Sequence, residues 1–196
     1  GRVFAGKSGS ARPVGALLAA PVARGVGEHM KLDRIVLREI RMPLISFFET
    51  SFGRTTDRRM LLVEVQADGV SGWGEITAPE NPFFNEETTE TAWHIVSKFV
   101  APRLLHRALG SAAEIGGLLQ HIRGHNMAKG GVEAAAWELE ARLNGRPLWQ
   151  HLGGTRREIP CGVSLGIQNT VEELLERIER ELAAGYQRVK IKIKPG

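Results

Sequence analysis

The segment from Ile159 to Gly196 decides the fold. It runs Ile159-Pro-Cys-Gly-Val-Ser-Leu-Gly-Ile167, then Thr170-Val-Glu-Glu-Leu-Leu-Glu-Arg-Ile-Glu-Arg-Glu-Leu-Ala-Ala-Gly185, and ends Val189-Lys-Ile-Lys-Ile-Lys-Pro-Gly196. Residues 159–167 read as an apolar strand. Thr170 with Glu173 forms a capping box, and Leu174, Leu175, Ile178 and Leu182 recur at helical spacing until Gly185 stops the helix. Residues 189–193 read as a second strand. Strand, helix and strand joined by short loops make a βαβ unit, which requires parallel pairing and a crossover. Two parallel strands alone cannot cover both faces and both edges, so more of an α/β barrel is expected to follow.

Upstream the pattern is different. Ile35 and Leu37 share one face of a strand and Val36 and Ile40 the other, and Pro43 is expected to end the run. A polar stretch with Gly53 reads as a loop, and Met60–Val65 as the next strand. Asp68-Gly69 is a hairpin signal, and Gly72-Trp-Gly-Glu-Ile76 completes a small antiparallel meander. Asn81-Pro82 falls in the loop that follows. Three helices come next. The first spans 86–101, with Trp93, Val96 and Val100 on one face. The second opens at a Ser111–Glu114 capping box and stops at Gly124. The third covers 127–143, with Val132, Ala136, Leu139 and Leu143 as its stripe and Asn144-Gly145 as its left-handed exit. Residues 1–29 show no clean periodicity and are expected to be a disordered tail or a mis-called start, because Met30-Lys-Leu32 opens the patterned sequence. The expected organisation is therefore 1–29 as tail, 30–153 as one α+β domain and 154–196 as an incomplete second one.

Composition narrows the function classes. The chain has 26 basic and 22 acidic side chains and a pI near 9.6. Gly1–His29 holds four of the bases and one of the acids, which leaves 22 against 21 in the patterned part. That part is nearly neutral and carries no basic stripe interleaved with aromatics, so nucleic acid is not an expected partner. No stretch approaches the ~20 consecutive apolar residues of a membrane helix, and no membrane partner is expected. The lone Cys161 permits no intrachain disulfide, fits a reducing cytoplasm, and is expected to be a small buried hydrophobe.

Lys190, Lys192 and Lys194 alternate with Val189, Ile191 and Ile193, so their side chains point one way and the apolar ones the other. On pattern alone the favoured reading is an edge strand with a solvated, aggregation-blocking lysine face. In a barrel the apolar face would pack on helices, and the lysines would look into the mouth, where active sites sit. Ammonium groups crowded there repel one another, which favours the neutral amine a general base needs. Other candidates are weaker. His121 and His125 are separated by the helix-breaking Gly124, Glu138 and Glu140 do not face each other on a helix, and Gly72-x-Gly74 opens no helix and reads as turn chemistry.

The Gly185–Gly196 strand resembles the Lys-x-Lys strand of the muconate-lactonizing branch of the enolase superfamily. Asn126-Met-Ala-Lys-Gly130, Trp137-Glu-Leu-Glu140 and Gly145-Arg-Pro-Leu148 resemble that branch's last capping helix and its exit. Gly72-Trp-Gly-Glu75 and Pro160-Cys-Gly-Val-Ser-Leu-Gly166 are similar to the o-succinylbenzoate synthase and N-succinylamino acid racemase group within it. The likeness runs from Met30 to Gly196. It implies an α+β capping domain followed by the start of a TIM-like (β/α) barrel, truncated after barrel strand 2. It also implies a cytoplasmic Mg-dependent enzyme that removes the proton α to a carboxylate, giving o-succinylbenzoate for menaquinone synthesis or racemising N-acylamino acids. Lys192 then corresponds to the base and Lys190 to the neighbour that tunes it and holds the carboxylate. Ser164 matches a pocket position. Phe48 and Phe52 fall on a first capping loop and Phe83 and Phe84 on a second, both folding over the barrel mouth in the family. For Phe52 and Phe83 a place in the capping-domain core is an even alternative. The metal ligands and a second lysine are expected beyond Gly196, the fragment alone is expected to be inactive, and the full-length form is expected to be a homo-oligomer. Dipeptide epimerase and muconate cycloisomerase chemistry, or a non-catalytic interaction module, are the alternatives.

Overall fold

At Asp68-Gly69 the chain turns back with both residues at positive φ, 50° and 76°, the pair of left-handed conformations a two-residue hairpin favours. The turn joins strands β4 (Gly53–Ala67) and β5 (Val70–Ile76), which pair antiparallel from Ala67 opposite Val70 to Leu61 opposite Ile76. This computed structural model describes the backbone of Arg2–Ala5 and the whole of residues 29–194. In chain order the described elements begin with β1 (Arg2–Ala5), β2 (Met30–Lys31) and β3 (Arg34–Thr50), and continue through β4 and β5 to α1 (Thr89–Ile95). A π-helical turn (Val96–Val100), α2 (Ala101–Leu104), β6 (Ala108–Leu109), α3 (Glu114–Leu118), α4 (Asn126–Leu143) and α5 (Leu148–His151) follow. The last are β7 (Val163–Leu165), α6 (Val171–Ala183) and β8 (Val189–Ile191). The chain divides into two compact units, Gly1–Ile40 with Arg59–Gly154 and Arg41–Arg58 with Thr155–Gly196.

In the first unit a sheet of order β1-β3-β4-β5 carries the helices. Ile35, Leu37, Leu61, Val63, Val65 and Ile76 from the sheet join Val96, Val100, Leu104, Val132, Ala136 and Leu139 from the helices in one core. Each such aliphatic side chain contributes roughly 1.5–3 kcal/mol on burial. Helix α4 lies so close to β5 that there is no room for a side chain at three glycines. A Cβ on Gly72 would sit 2.2 Å from the Ala135 carbonyl oxygen, one on Gly74 the same distance from that of Gly131, and one on Gly131 2.3 Å from Ile76 Cγ1. The Gly-x-Gly pair is thus a strand-to-helix contact and not the turn expected of it. The N-terminus of α4 has no side-chain cap of its own, since His125 stands there at φ 50°. The buried carboxylate of Glu87 accepts from the Met127 and Ala128 amides instead, at 2.8 and 3.0 Å, and supplies the missing acceptor from a distant loop.

Several sequence expectations are corrected. Pro43 does not end β3. It lies past Leu37, the last β3 residue that β1 reaches, where one edge of the strand has no described neighbour and a missing N–H costs little. The polar stretch before Met60 is strand, so Gly53 opens β4 and is not part of a loop. The first long helix begins at Thr89, because Thr88 makes a capping box with Thr91, and it is interrupted by the π turn. Pro102, lacking an N–H for the carbonyl of Lys98, stands one residue beyond that turn, after Ala101. The Ser111 hydroxyl does not cap Glu114. It donates to Glu140, although Glu114 reaches back to the Gly110 and Ser111 amides as a capping box requires. Arg2–Ala5, expected in an unpatterned tail, pair antiparallel with Arg34–Leu37. Gly1 and residues 6–28 of that tail, and the terminal Pro195-Gly196, lie outside the described residues.

In the second unit β7 and β8 pair in parallel, Val163 opposite Val189 and Leu165 opposite Ile191, with α6 between them in sequence. Both strands are shorter than the nine and five residues expected. Thr170 caps α6 through the Glu173 amide at 3.2 Å. The helix buries none of its residues, leaving Leu175 and Leu182 about half exposed.

Candidate active site

Beyond β7 and β8 the second unit brings its βαβ segment against the tip of the β3–β4 hairpin. The Ile167 amide donates to the Glu49 carbonyl at 3.0 Å, and the Lys192 amide to the Leu165 carbonyl at 3.0 Å. Gly166 permits this approach, since a Cβ there would meet Glu49 N at 3.0 Å and Phe48 Cδ2 at 3.3 Å. Arg177 on α6 donates to the Ser46 hydroxyl at 3.3 Å. The tip is therefore held at the carboxyl-terminal ends of the two parallel strands. In open and closed α/β folds that is where chemistry collects.

The structure brings only some of the expected site residues together. Ser164 and Lys190 are register partners on neighbouring strands, both exposed, and partners so placed share a sheet face. Lys192 and Lys194 reach adjacent residues of the hairpin tip: Lys192 Nζ lies 5.8 Å from the centre of the Phe48 ring, and Lys194 Nζ lies 2.7 Å from Glu49 Oε1. Phe48, half-buried, is a strand residue and not on a loop. Phe52 occupies the turn between β3 and β4 and is 76% exposed, which removes its core-packing alternative. Phe83 and Phe84 stand on the turn after Pro82 in the first unit, exposed as well, so Phe83 is not a core residue either.

Glu49 was not singled out from sequence, yet its carbonyl and both carboxylate oxygens accept hydrogen bonds from this unit. Its second carboxylate oxygen accepts from Arg54 Nε at 2.6 Å. Arg54 also donates to Asn169 Oδ1 at 2.8 Å, and its guanidinium carbon lies 3.9 Å from the centre of the Phe47 ring. The Lys194 ammonium, and after it Arg54, hold the Glu49 carboxyl below the usual carboxylate range. The one sequence signal was indirect. Lys194 is a third lysine in a motif that needs two, and an extra ammonium facing a site calls for an acid.

Among the described residues no three His, Cys, Asp or Glu side chains are placed to hold a metal ion, and Glu49 already has two cations. The residues present do not fit the magnesium that the resemblance implies. Cys161 is exposed, contrary to expectation, and its thiol donates to the Ile159 carbonyl. It lines a cleft of about 700 Å³ with Glu158, Pro160 and Arg188, before the two strands begin and so away from the lysines.

Residues 33–153 match the family model described as mandelate racemase / muconate lactonizing enzyme, N-terminal domain. The chain belongs to this family. It is 47% identical over 168 residues to an o-succinylbenzoate synthase of Geobacillus kaustophilus, covering 85% of this chain and 45% of that enzyme. It is 42% identical over 167 residues to an N-succinylamino acid racemase of Thermus thermophilus, with the same coverage. A solved structure of an enolase superfamily member from Listeria innocua matches with a TM-score of 0.80 at 35% identity, over 85% of this chain and 45% of that one. The chain thus spans just under half the length of these relatives. The sheet and helices of the first unit are the capping domain of the enolase superfamily. No helix among the described residues is long and apolar enough to cross a membrane.

Proposed function

We propose that this chain is the N-terminal part of an o-succinylbenzoate synthase-like enzyme in which Lys192 removes the proton α to a substrate carboxylate. Residues 154–196 are then the first βαβ unit of a (β/α) barrel whose later elements cover the exposed apolar side chains of α6, Ile191 and Ile193. One observation carries the assignment of the base: Lys194 is engaged by a carboxylate, whereas Lys192, two residues earlier, stands beside an aromatic ring. Lys194 Nζ is committed to Glu49 Oε1 at 2.7 Å, whereas among the described residues no carboxylate is paired with Lys192.

The chain's own residues divide the work as follows. Lys192 takes the α-proton onto Nζ. Lys190, on the Ser164 face, meets the substrate carboxylate, onto which negative charge moves as the proton leaves. Phe48 covers the reacting carbon with an apolar ring and limits access of water. In dehydration the proton held on Lys192 passes to the β-hydroxyl, which leaves as water. In racemisation the other face of the enediolate is reprotonated by the second lysine expected beyond Gly196, so the first proton transfer is common to both reactions. The resemblance makes magnesium the counterion of that enediolate. The described residues do not supply its ligands.

The test is a substrate panel on the complete enzyme: the hydroxy-acid precursor of o-succinylbenzoate, an N-succinylamino acid, a dipeptide and a muconate. Turnover of either of the first two supports the reading. Turnover confined to the dipeptide or the muconate replaces it with epimerase or cycloisomerase chemistry. The 196 residues alone are expected to turn over none of them.

A further inference from the structure

We propose that Glu49 is a positioning residue, a two-oxygen clasp that fixes the hairpin tip, and with it Phe48, against the end of the lysine strand. The functional meaning of this inference rests on the reading of Lys192 and Phe48 above, but the clasp itself does not. Glu49 is the only residue of the tip whose main chain and side chain both bind the βαβ segment among the described residues. Its carbonyl accepts from the Ile167 amide, and Oε1 accepts from Lys194 Nζ at 2.7 Å. Its other oxygen accepts from Arg54 at 2.6 Å, and Arg54 goes on to Asn169, the residue before the Thr170 cap of α6, at 2.8 Å. One carboxylate therefore ties three places together: the end of β8, the far side of the hairpin, and the entry to α6.

Several features argue that this is more than a surface ion pair. Glu49 is only 9% exposed in a unit whose helix buries nothing. Both of its oxygens have charged donors at short range, the arrangement in which hydrogen bonds are strongest. The backbone alongside is close at Gly166, where a Cβ would meet Glu49 N at 3.0 Å and Phe48 Cδ2 at 3.3 Å. Because Phe48 precedes Glu49 directly and Lys194 follows Lys192 by two, closing the Glu49–Lys194 pair also sets the distance between the ring and the amine. The third lysine of the motif thereby acquires a role: it anchors the tip and leaves proton transfer to Lys192.

Hydrogen–deuterium exchange on the complete enzyme tests this without turnover, comparing wild type with Glu49→Gln, Lys194→Met and Lys194→Arg. Glu49→Gln should speed exchange of the Ile167 amide and of residues 46–50 about tenfold, the scale of one charge-assisted hydrogen bond lost. The β4–β5 peptides over 60–76 should be unchanged and report an intact first unit. Lys194→Met should loosen the same amides less, since Arg54 remains, and Lys194→Arg should restore them. If Glu49→Gln disturbs the β4–β5 peptides, the Lys194→Met and Lys194→Arg pair carries the test. Exchange at the wild-type rate in Glu49→Gln, or no difference between Met and Arg at 194, overturns the proposal. Loosening of the tip in a protein whose Lys192→Ala variant still exchanges the substrate α-proton upholds the clasp and removes the assignment of the base.

Discussion

Lys192 Nζ lies 5.8 Å from the centre of the Phe48 ring, so the ring walls one side of the amine. The two come from sequence positions 144 residues apart, and the hairpin tip is what joins them. In the proposed site a substrate α-carbon lies between the amine and the ring. Phe48→Ala in the complete enzyme should therefore reduce kcat/KM by the equivalent of about 1–3 kcal/mol, the scale at which apolar pockets discriminate. The unfolding midpoint should stay near wild type, because the ring is only half-buried. Unchanged kinetics would assign Phe48 to packing alone.

A harsher effect is expected from a smaller change. Gly72→Ala adds one methyl group 2.2 Å from the Ala135 carbonyl oxygen and 2.4 Å from the Leu139 amide nitrogen, and neither backbone atom can move without shifting α4. Overpacking of this kind costs about 1–3 kcal/mol or more. Gly116→Ala is the matched control, since nothing lies within 4 Å of its Cβ position and alanine favours a helix. Denaturant unfolding should show a clear loss for Gly72→Ala and none for Gly116→Ala. Equal midpoints would mean that α4 does not sit on β5 as described.

Acid should weaken the first unit by an identifiable route. Arg59 donates to both oxygens of Glu39, at 2.6 and 3.0 Å, and also to Glu90. Its hydrogen bonds hold the Glu39 carboxyl below its ordinary 4.5. A carboxyl lowered on folding adds stability that is fully present above that ordinary value and is lost as pH falls through the folded one. Glu64 acts in the same direction: burial alone would raise it, but hydrogen bonds from Ser71, Gln66 and Arg38 together carry it below. The unfolding midpoint should fall as pH drops below 4.5, and Arg59→Met should shallow that fall. The change will be modest, because the Glu39 side chain is 43% exposed and water screens such pairs. An acid limb identical in wild type and Arg59→Met would remove Glu39 from this account.

Local chemistry was legible in the sequence, and features that depend on distant partners were not. The Asp68-Gly69 turn, the α4 stripe from Val132 to Leu143 and the strand–helix–strand grammar after Pro160 depend on neighbours within a few residues, and each is present in the structure. Pro43 misled because its tolerance depends on where β1 stops, which nothing near Pro43 reports. Gly72 and Gly74 look like turn residues in isolation, and only the approach of α4, some 60 residues on, explains them. The lysine alternation was visible, but its likeness to a catalytic strand came from resemblance, since a solvated edge fits the same pattern. Glu49 was invisible because a single acid beside two phenylalanines has no periodicity. Its importance arises when Lys194 and Arg54 converge on it.

The central claim is that Lys192, and not its neighbours, moves the α-proton. Lys190 lies on β8, while Lys192 and Lys194 follow its end at Ile191. Alternate positions of an extended chain lie roughly 6.6 Å apart, so only one amine can sit within transfer distance of a fixed carbon. Lys190→Ala should impair turnover mainly by losing the carboxylate contact, and Lys194→Ala should show its loss in KM through the loosened tip. The direct measurement is incorporation of deuterium at the substrate α-carbon in heavy water, by the complete enzyme and its Lys192→Ala and Lys194→Ala variants. The account predicts no incorporation with Lys192→Ala and near-native incorporation at saturating substrate with Lys194→Ala. Native incorporation by Lys192→Ala together with none by Lys194→Ala would contradict it and move the base two residues along the strand.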